Sequence, residues 1–226
     1  MRTWRDDLIQ ALRQPDSLRV FTTNELHIFA HNRGLDVSRR MLDIFCSQYP
    51  ASDICRSHEI SRVRKGLWIN NCVIDRVSRV EAANRIRSGA IVSLFSVLPE
   101  SMRKGFPYGV HSVVGVPRDS TRPSVGSIET GIGEFHFKGI QEGILLAGDE
   151  NDRIATHYGT SYATPEAAII HWFHLSSVKG KSFPKPKVAF SAVSKMDYNR
   201  LERLARETRY HSDIMHWADK CLHETS

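Results

Sequence analysis

Eleven histidines, four cysteines and an uneven run of arginines are the features of this sequence that could carry chemistry. His171 and His174 are three apart in "AIIHWFHLSS" and would share a helix face, while His111, His136 and His157 fall in a region of β-like pattern. None belongs to an HExxH motif and no carboxylate pair sits at a diagnostic spacing, so metalloprotease chemistry is not implied. His171 beside Trp172 and Phe173 reads as packing. Cys46, Cys55, His58 and Cys72 could close a zinc site on paper, but only Cys55 and His58 form a tight pair, whereas zinc sites bring two. No CxxC occurs, and buried thiols are the better reading. GxSxG, a dinucleotide fingerprint and a P-loop are all absent. Asp149, Glu150 and Asp152, which with Glu134 and Lys138 could suggest a nuclease centre, surround Asn151 and follow Gly148, the composition of a surface turn. We expect no enzyme, no cofactor and no metal.

The arginines read differently. The chain carries a net charge of +6 and a pI of about 9.3, a mild tilt towards an anionic partner. Between Arg62 and Lys104 the cations are Arg62, Arg64, Lys65, Arg76, Arg79, Arg85, Arg87, Arg103 and Lys104, against only Asp75, Glu81 and Glu100. The excess starts inside "HEISRVRKGLWIN". There Ile60 and Val63 precede a turn, Gly66 is free to take a positive φ, and Leu67 and Ile69 follow it, which is a basic hairpin. Such a hairpin suits phosphate contact.

The elements around the hairpin decide what it is for. Trp4, Leu8, Ile9 and Leu12 fall on one helical face, and Pro15 punctuates the chain behind them. Thr22 or Thr23 can cap a second helix through Leu26, Ile28 and Phe29, stopped by Gly34. Asp36 can cap a third, with Met41, Leu42, Ile44 and Phe45 as its apolar stripe. Helix, helix, helix, basic hairpin is the order of a winged helix-turn-helix, whose third helix enters the major groove. Ser38, Arg39 and Arg40 would then stand where base edges are met, and an arginine can hold guanine bidentately. Further on, "VIDRVSRVEAANRI" predicts a helix that would bring Arg76, Arg79 and Arg87 onto related faces, and "AIVSLFSVLPESM" predicts a second, more apolar helix. "YGVHSVVGVP" and "GEFHFKGI" read as strands, and "GILLAGDENDRIATHYG" as a strand, a turn and a strand. Thr164, Pro165 and Glu166 open a helix, and two more end the chain, over about 197–209 and 214–222.

Three segments in this order, "RVRKGLWI", "SGAIVSLFSVL" and "YATPEAAIIHWF", resemble the AbiEi-type antitoxins, transcriptional autoregulators of type IV toxin–antitoxin systems in phage-defence and mobile-element loci. The resemblance implies a DNA-binding N-terminal domain and a C-terminal domain needed for antitoxin action.

The expectation is therefore an α+β chain, with a winged helix-turn-helix over 1–73 and a mixed α/β domain over 74–226. Its DNA contacts would be Ser38, Arg39, Arg40, Arg62, Arg64, Lys65, Arg76 and Arg79. Its partners would be double-stranded DNA at an inverted repeat in its own promoter and, by the resemblance, a cognate toxin without a stable complex. It would be a monomer or weak dimer that pairs on DNA. With no secretory signal and no apolar run of spanning length, a cytoplasmic protein off the membrane is expected. The alternatives are a metal-dependent nuclease of a mobile element and a transcription activator.

Overall fold

A computed structural model describes residues 3–48, 59–98, 110–115, 126–178 and 196–223. The fold is mixed α+β, and the chain divides into two compact units. One is Met1–Arg85 with Glu129–Gly133; the other is Ile86–Ile128 with Glu134–Ser226.

In the first unit, α1 (Trp4–Leu12), β1 (Val20–Thr22), α2 (Thr23–Asn32), α3 (Arg39–Gln48), β2 (Ile60–Arg64) and β3 (Leu67–Asn70) follow one another. Two reciprocal capping boxes start α1 and α2. Thr3 and Thr22 accept from the backbone of Asp6 and Glu25, whose carboxylates reach back to the cap backbone. Asp36 was the expected cap of α3; the hydroxyl that accepts from the Met41 amide is that of Ser38, 3.3 Å away. The strands form an antiparallel sheet in the order β1-β3-β2. Phe21 pairs with Trp68, and both join Leu8, Leu12, Leu26, Leu42 and Phe45 in one buried cluster. The three helices therefore cover one face of the sheet, and alternation sends Ile69 and its partners Val20 and Ser61 to the other.

Buried Asn70 ties this unit together. Its amide donates to the carbonyls of Leu12 and Leu18, 2.8 Å each, and its oxygen accepts from the Cys72 amide at 2.9 Å. Cys46 lies in the same core, where burial, then the charge of Asp43, pushes its thiol up to about 12. Cys55 and His58, half of the paper zinc site, lie outside the described residues, as do Arg103 and Lys104.

The helix expected over 73–86 is mostly absent. Residues up to Ser78 are irregular, and only a 3₁₀ turn (Arg79–Ala82) and α4 (Ala83–Ile86) form. The physical reason is a competing anchor. Arg19 grips the Glu81 carboxylate with two 2.8 Å hydrogen bonds and also donates to the Asp75 carbonyl, which holds the segment out of helical register. Arg76, Arg79 and Arg87 consequently share no helix.

In the second unit the described strands make a mixed sheet in the order β6-β7-β5-β4-β9-β8. These are β4 (Ile91–Val92), β5 (Val110–Gly115), β6 (Gly126–Thr130), β7 (Gly133–Gly139), β8 (Ile154–His157) and β9 (Thr160–Ala163). Contrary to the expected helix, "AIVSLF" is not α-helical. Ile91 and Val92 form a central strand, antiparallel to β5 and parallel to β9, before a 3₁₀ turn over Leu94–Ser96. A fully apolar run suits a strand buried on both faces as well as a core helix, and the β-branched pair after Gly89 belongs to the former. Where a strand and a turn were expected, "GILLAGDENDR" with the Glu142 before it folds into α5 (Glu142–Leu145) and α6 (Glu150–Arg153) before β8. Helix α7 (Pro165–Ser177) is buried nearly all round, between the sheet and the helices Tyr198–Arg206 and His211–His223. No described helix is long and apolar enough to cross a membrane.

Candidate nucleic-acid interface

Eight residues were singled out from the sequence, and the first unit sorts them by position. At the start of α3, Ser38, Arg39 and Arg40 are exposed. The Ser38 hydroxyl is used as the helix cap; the two guanidinium groups have no hydrogen-bond or ion-pair partner among the described residues. Leu42, Phe45 and Cys46 bury one side of α3. At 100° per residue the opposite side carries Arg40, Asp43, Ile44 and Ser47, with Arg39 on a flank. Ile44 is an exposed apolar residue in that stripe, and Met41 is exposed beside it.

The hairpin tip is Lys65-Gly66, with Gly66 at φ +76°. Register settles where its cations lie. Arg62 pairs with Trp68 and so shares the helix-covered side of the sheet, at its edge. A bulge follows, so that Arg64 pairs with Leu67 and turns to the other side. There its guanidinium donates to the Arg85 carbonyl at 3.2 Å. Sequence alternation alone would have put Arg62 and Arg64 together; the bulge separates them. Lys65 is exposed and its side chain has no partner among the described residues.

Arg76 and Arg79 stand elsewhere, in a cleft of about 680 Å3 that also takes in Arg62 at its rim. The cleft lies on the outer side of the sheet, where Ser61 and Ile69 form part of its wall, and Val77 and Ile132 add apolar surface. Asn71 donates to the Ser61 hydroxyl at 2.8 Å within that wall. The Arg79 guanidinium donates to the Ile132 carbonyl at 3.3 Å. One more residue shapes the site and escaped sequence reading: Gly131, whose amide donates to the Val63 carbonyl at 3.1 Å. A Cβ at that position would stand 2.2 Å from the Arg62 carbonyl oxygen, so only glycine allows the approach. No local pattern marks it, because its partner is far away in sequence.

His171 and His174 of the second unit are accounted for by packing. His171 Nδ1 is 2.8 Å from the buried Ser93 hydroxyl, and His174 Nδ1 is 3.0 Å from the Tyr210 hydroxyl. Burial, then the neighbouring His174, pushes His171 down to about 3, so the ring is neutral. The acidic helix α6 is also engaged: Asp152 binds Arg203 through two 3.0 Å hydrogen bonds and pairs with Arg200.

No family model and no curated protein matches the sequence. Among solved structures the chain is similar to the crystal structure of the RV2827C protein from Mycobacterium tuberculosis, with 15% identity and a TM-score of 0.48, over 98% of this chain and 77% of that one.

Proposed function

We propose that the chain binds double-stranded DNA through its first unit, used as a winged helix, and that it regulates transcription. The observation that carries this reading is an outward α3, whose Arg39 and Arg40 have no partner among the described residues, followed by a short basic hairpin. Helix order and the β1-β3-β2 sheet agree with that use. Arg40 and Ile44 on the outer stripe would face base edges, the arginine towards guanine and the apolar side chain towards a thymine methyl. Arg62, on the α3 side of the sheet, and Lys65 at the tip would hold phosphates and set register, as wing residues do. Ser38 contributes by fixing the helix start. Asp43, in the same stripe, disfavours phosphate and suits a cytosine amino group.

The resemblance to AbiEi-type antitoxins extends the reading to autorepression at an inverted repeat and to the control of a toxin by the second unit. DNase footprinting on the region upstream of its own gene, paired with a promoter reporter, tests it. A protected repeat with half-sites about one helical turn apart and reduced transcription is the expected result. Protection with raised transcription would make the protein an activator, and no protection would remove the reading.

A further inference from the structure

That reading uses the cleft on the outer side of the first unit's sheet only through Arg62 at its rim. The helices cover the Phe21 and Trp68 side, whereas Ser61 and Ile69 of the opposite side line the cleft, together with Ile60 and Arg62 of the edge strand β2. A duplex seated on α3 meets the first side. None of the described residues lining the cleft is acidic. Glu81, on the turn that carries Arg79, is 4% exposed and already committed to Arg19 through both oxygens. Arg76 is exposed and its side chain has no partner among the described residues; Arg79 spends one nitrogen on Ile132.

We propose that this cleft binds a small phosphorylated molecule with an apolar body, of the size of a nucleotide. Its volume of about 680 Å3 lies in the range of small-molecule sites. Arginine is the side chain whose planar fork fits phosphate oxygens two at a time, and Arg76 and Arg79 present two such forks. Ser61 and Asn71 supply neutral polar groups, while Ile69, Val77 and Ile132 offer the apolar wall that an inorganic ion would not need. Concave shape, arginines with no acidic residue among the described lining, and an apolar wall together describe a ligand with a charged end and an uncharged one.

The same phosphate chemistry could come from a DNA backbone, and the test separates the two sources. Isothermal titration of the full chain with pyrophosphate, ADP, GDP and adenosine, and with a short duplex, is run on the wild type, Arg76→Ala/Arg79→Ala, Arg76→Lys/Arg79→Lys and Arg39→Ala/Arg40→Ala. Saturable binding of a nucleoside diphosphate is expected, tighter than that of pyrophosphate and lost with adenosine. The alanine pair should weaken it by at least about tenfold, the loss of one charge-assisted contact. The lysine pair, which keeps charge and fold, should fall between, and the α3 pair should leave it unchanged. No saturable binding of pyrophosphate or either nucleotide overturns the proposal, as does a nucleotide affinity that the Arg76 and Arg79 substitutions leave intact. A duplex affinity that falls with Arg76 and Arg79 while nucleotides fail to bind assigns the cleft to DNA instead. Because the α3 variant separates the two sites, failure of the DNA reading leaves the cleft's result standing.

Discussion

Replacing Arg19 with methionine should unlatch the segment that carries Arg76 and Arg79. The Arg19 side chain is 12% exposed and that of Glu81 only 4%, and the pair is bidentate at 2.8 Å on both arms. Arg19 also holds the Asp75 carbonyl at 3.1 Å, while Glu81 accepts from the Ser78 amide at 2.7 Å. Methionine fills much of the same volume but leaves a buried carboxylate without its counter-charge, a loss of about 3–5 kcal/mol. At 1.36 kcal/mol per decade this is about two to four decades in the exchange of amides that open only when the unit unfolds. Hydrogen exchange by mass spectrometry reads it on the β3 peptides, separately from the second unit. Adding Glu81→Gln removes the stranded charge, so Arg19→Met/Glu81→Gln should be more stable than Arg19→Met alone. Singles that add in the double variant, or an Arg19→Met effect below about tenfold, would refute the argument that this pair anchors residues 75–82.

Three other expectations follow from the same contacts. Asn70→Ala removes donors from the Leu12 and Leu18 carbonyls and an acceptor from the Cys72 amide, and should cost about 2–4 kcal/mol in a urea titration of the first unit. Gly131→Ala must move the 130–133 turn away from the hairpin, since the new Cβ meets backbone rather than a flexible side chain; faster exchange of the Gly131 amide is the readout. His171 should make the second unit acid-sensitive. Its folded value of about 3 lies below the ordinary 6.5, so the unfolded chain binds the extra proton between those limits. Stability is therefore full above pH 6.5, falls as the pH drops through that window and levels near 3. His171→Gln should flatten the fall in urea midpoint, followed by the fluorescence of Trp172 and Trp217; an unchanged slope would mean that other groups cause it.

Much of the first unit was legible because its signals are local. Thr22 and Glu25 announce a capping box three residues apart, and Lys65-Gly66 announces a hairpin tip. Exposed Arg39 and Arg40 were found because a helix start of that composition is visible in sequence. Long-range anchors were not legible. Arg19 and Glu81 are far apart in the chain, and their pairing decides that Arg76 and Arg79 line a cleft instead of a helix. The bulge that turns Arg64 away from Arg62 depends on register with Leu67 and Trp68, which alternation alone does not reveal. "AIVSLF" misled for a different reason: a strand buried on both faces has no period to read, and its partners β5 and β9 lie outside the segment.

Fluorescence anisotropy with DNA from just upstream of its own gene, against a scrambled duplex over a series of salt concentrations, tests the proposed function most directly. The proteins to compare are the wild type, Arg39→Ala/Arg40→Ala and Arg62→Ala/Lys65→Ala. The account expects tighter binding to the upstream DNA. The hairpin variant should lose affinity on both duplexes and flatten the salt dependence by about one unit per lost phosphate contact. The α3 variant should lose the preference between duplexes. Equal, weak binding of both duplexes by all three proteins would contradict it, and would return α3 and the hairpin to ordinary surface.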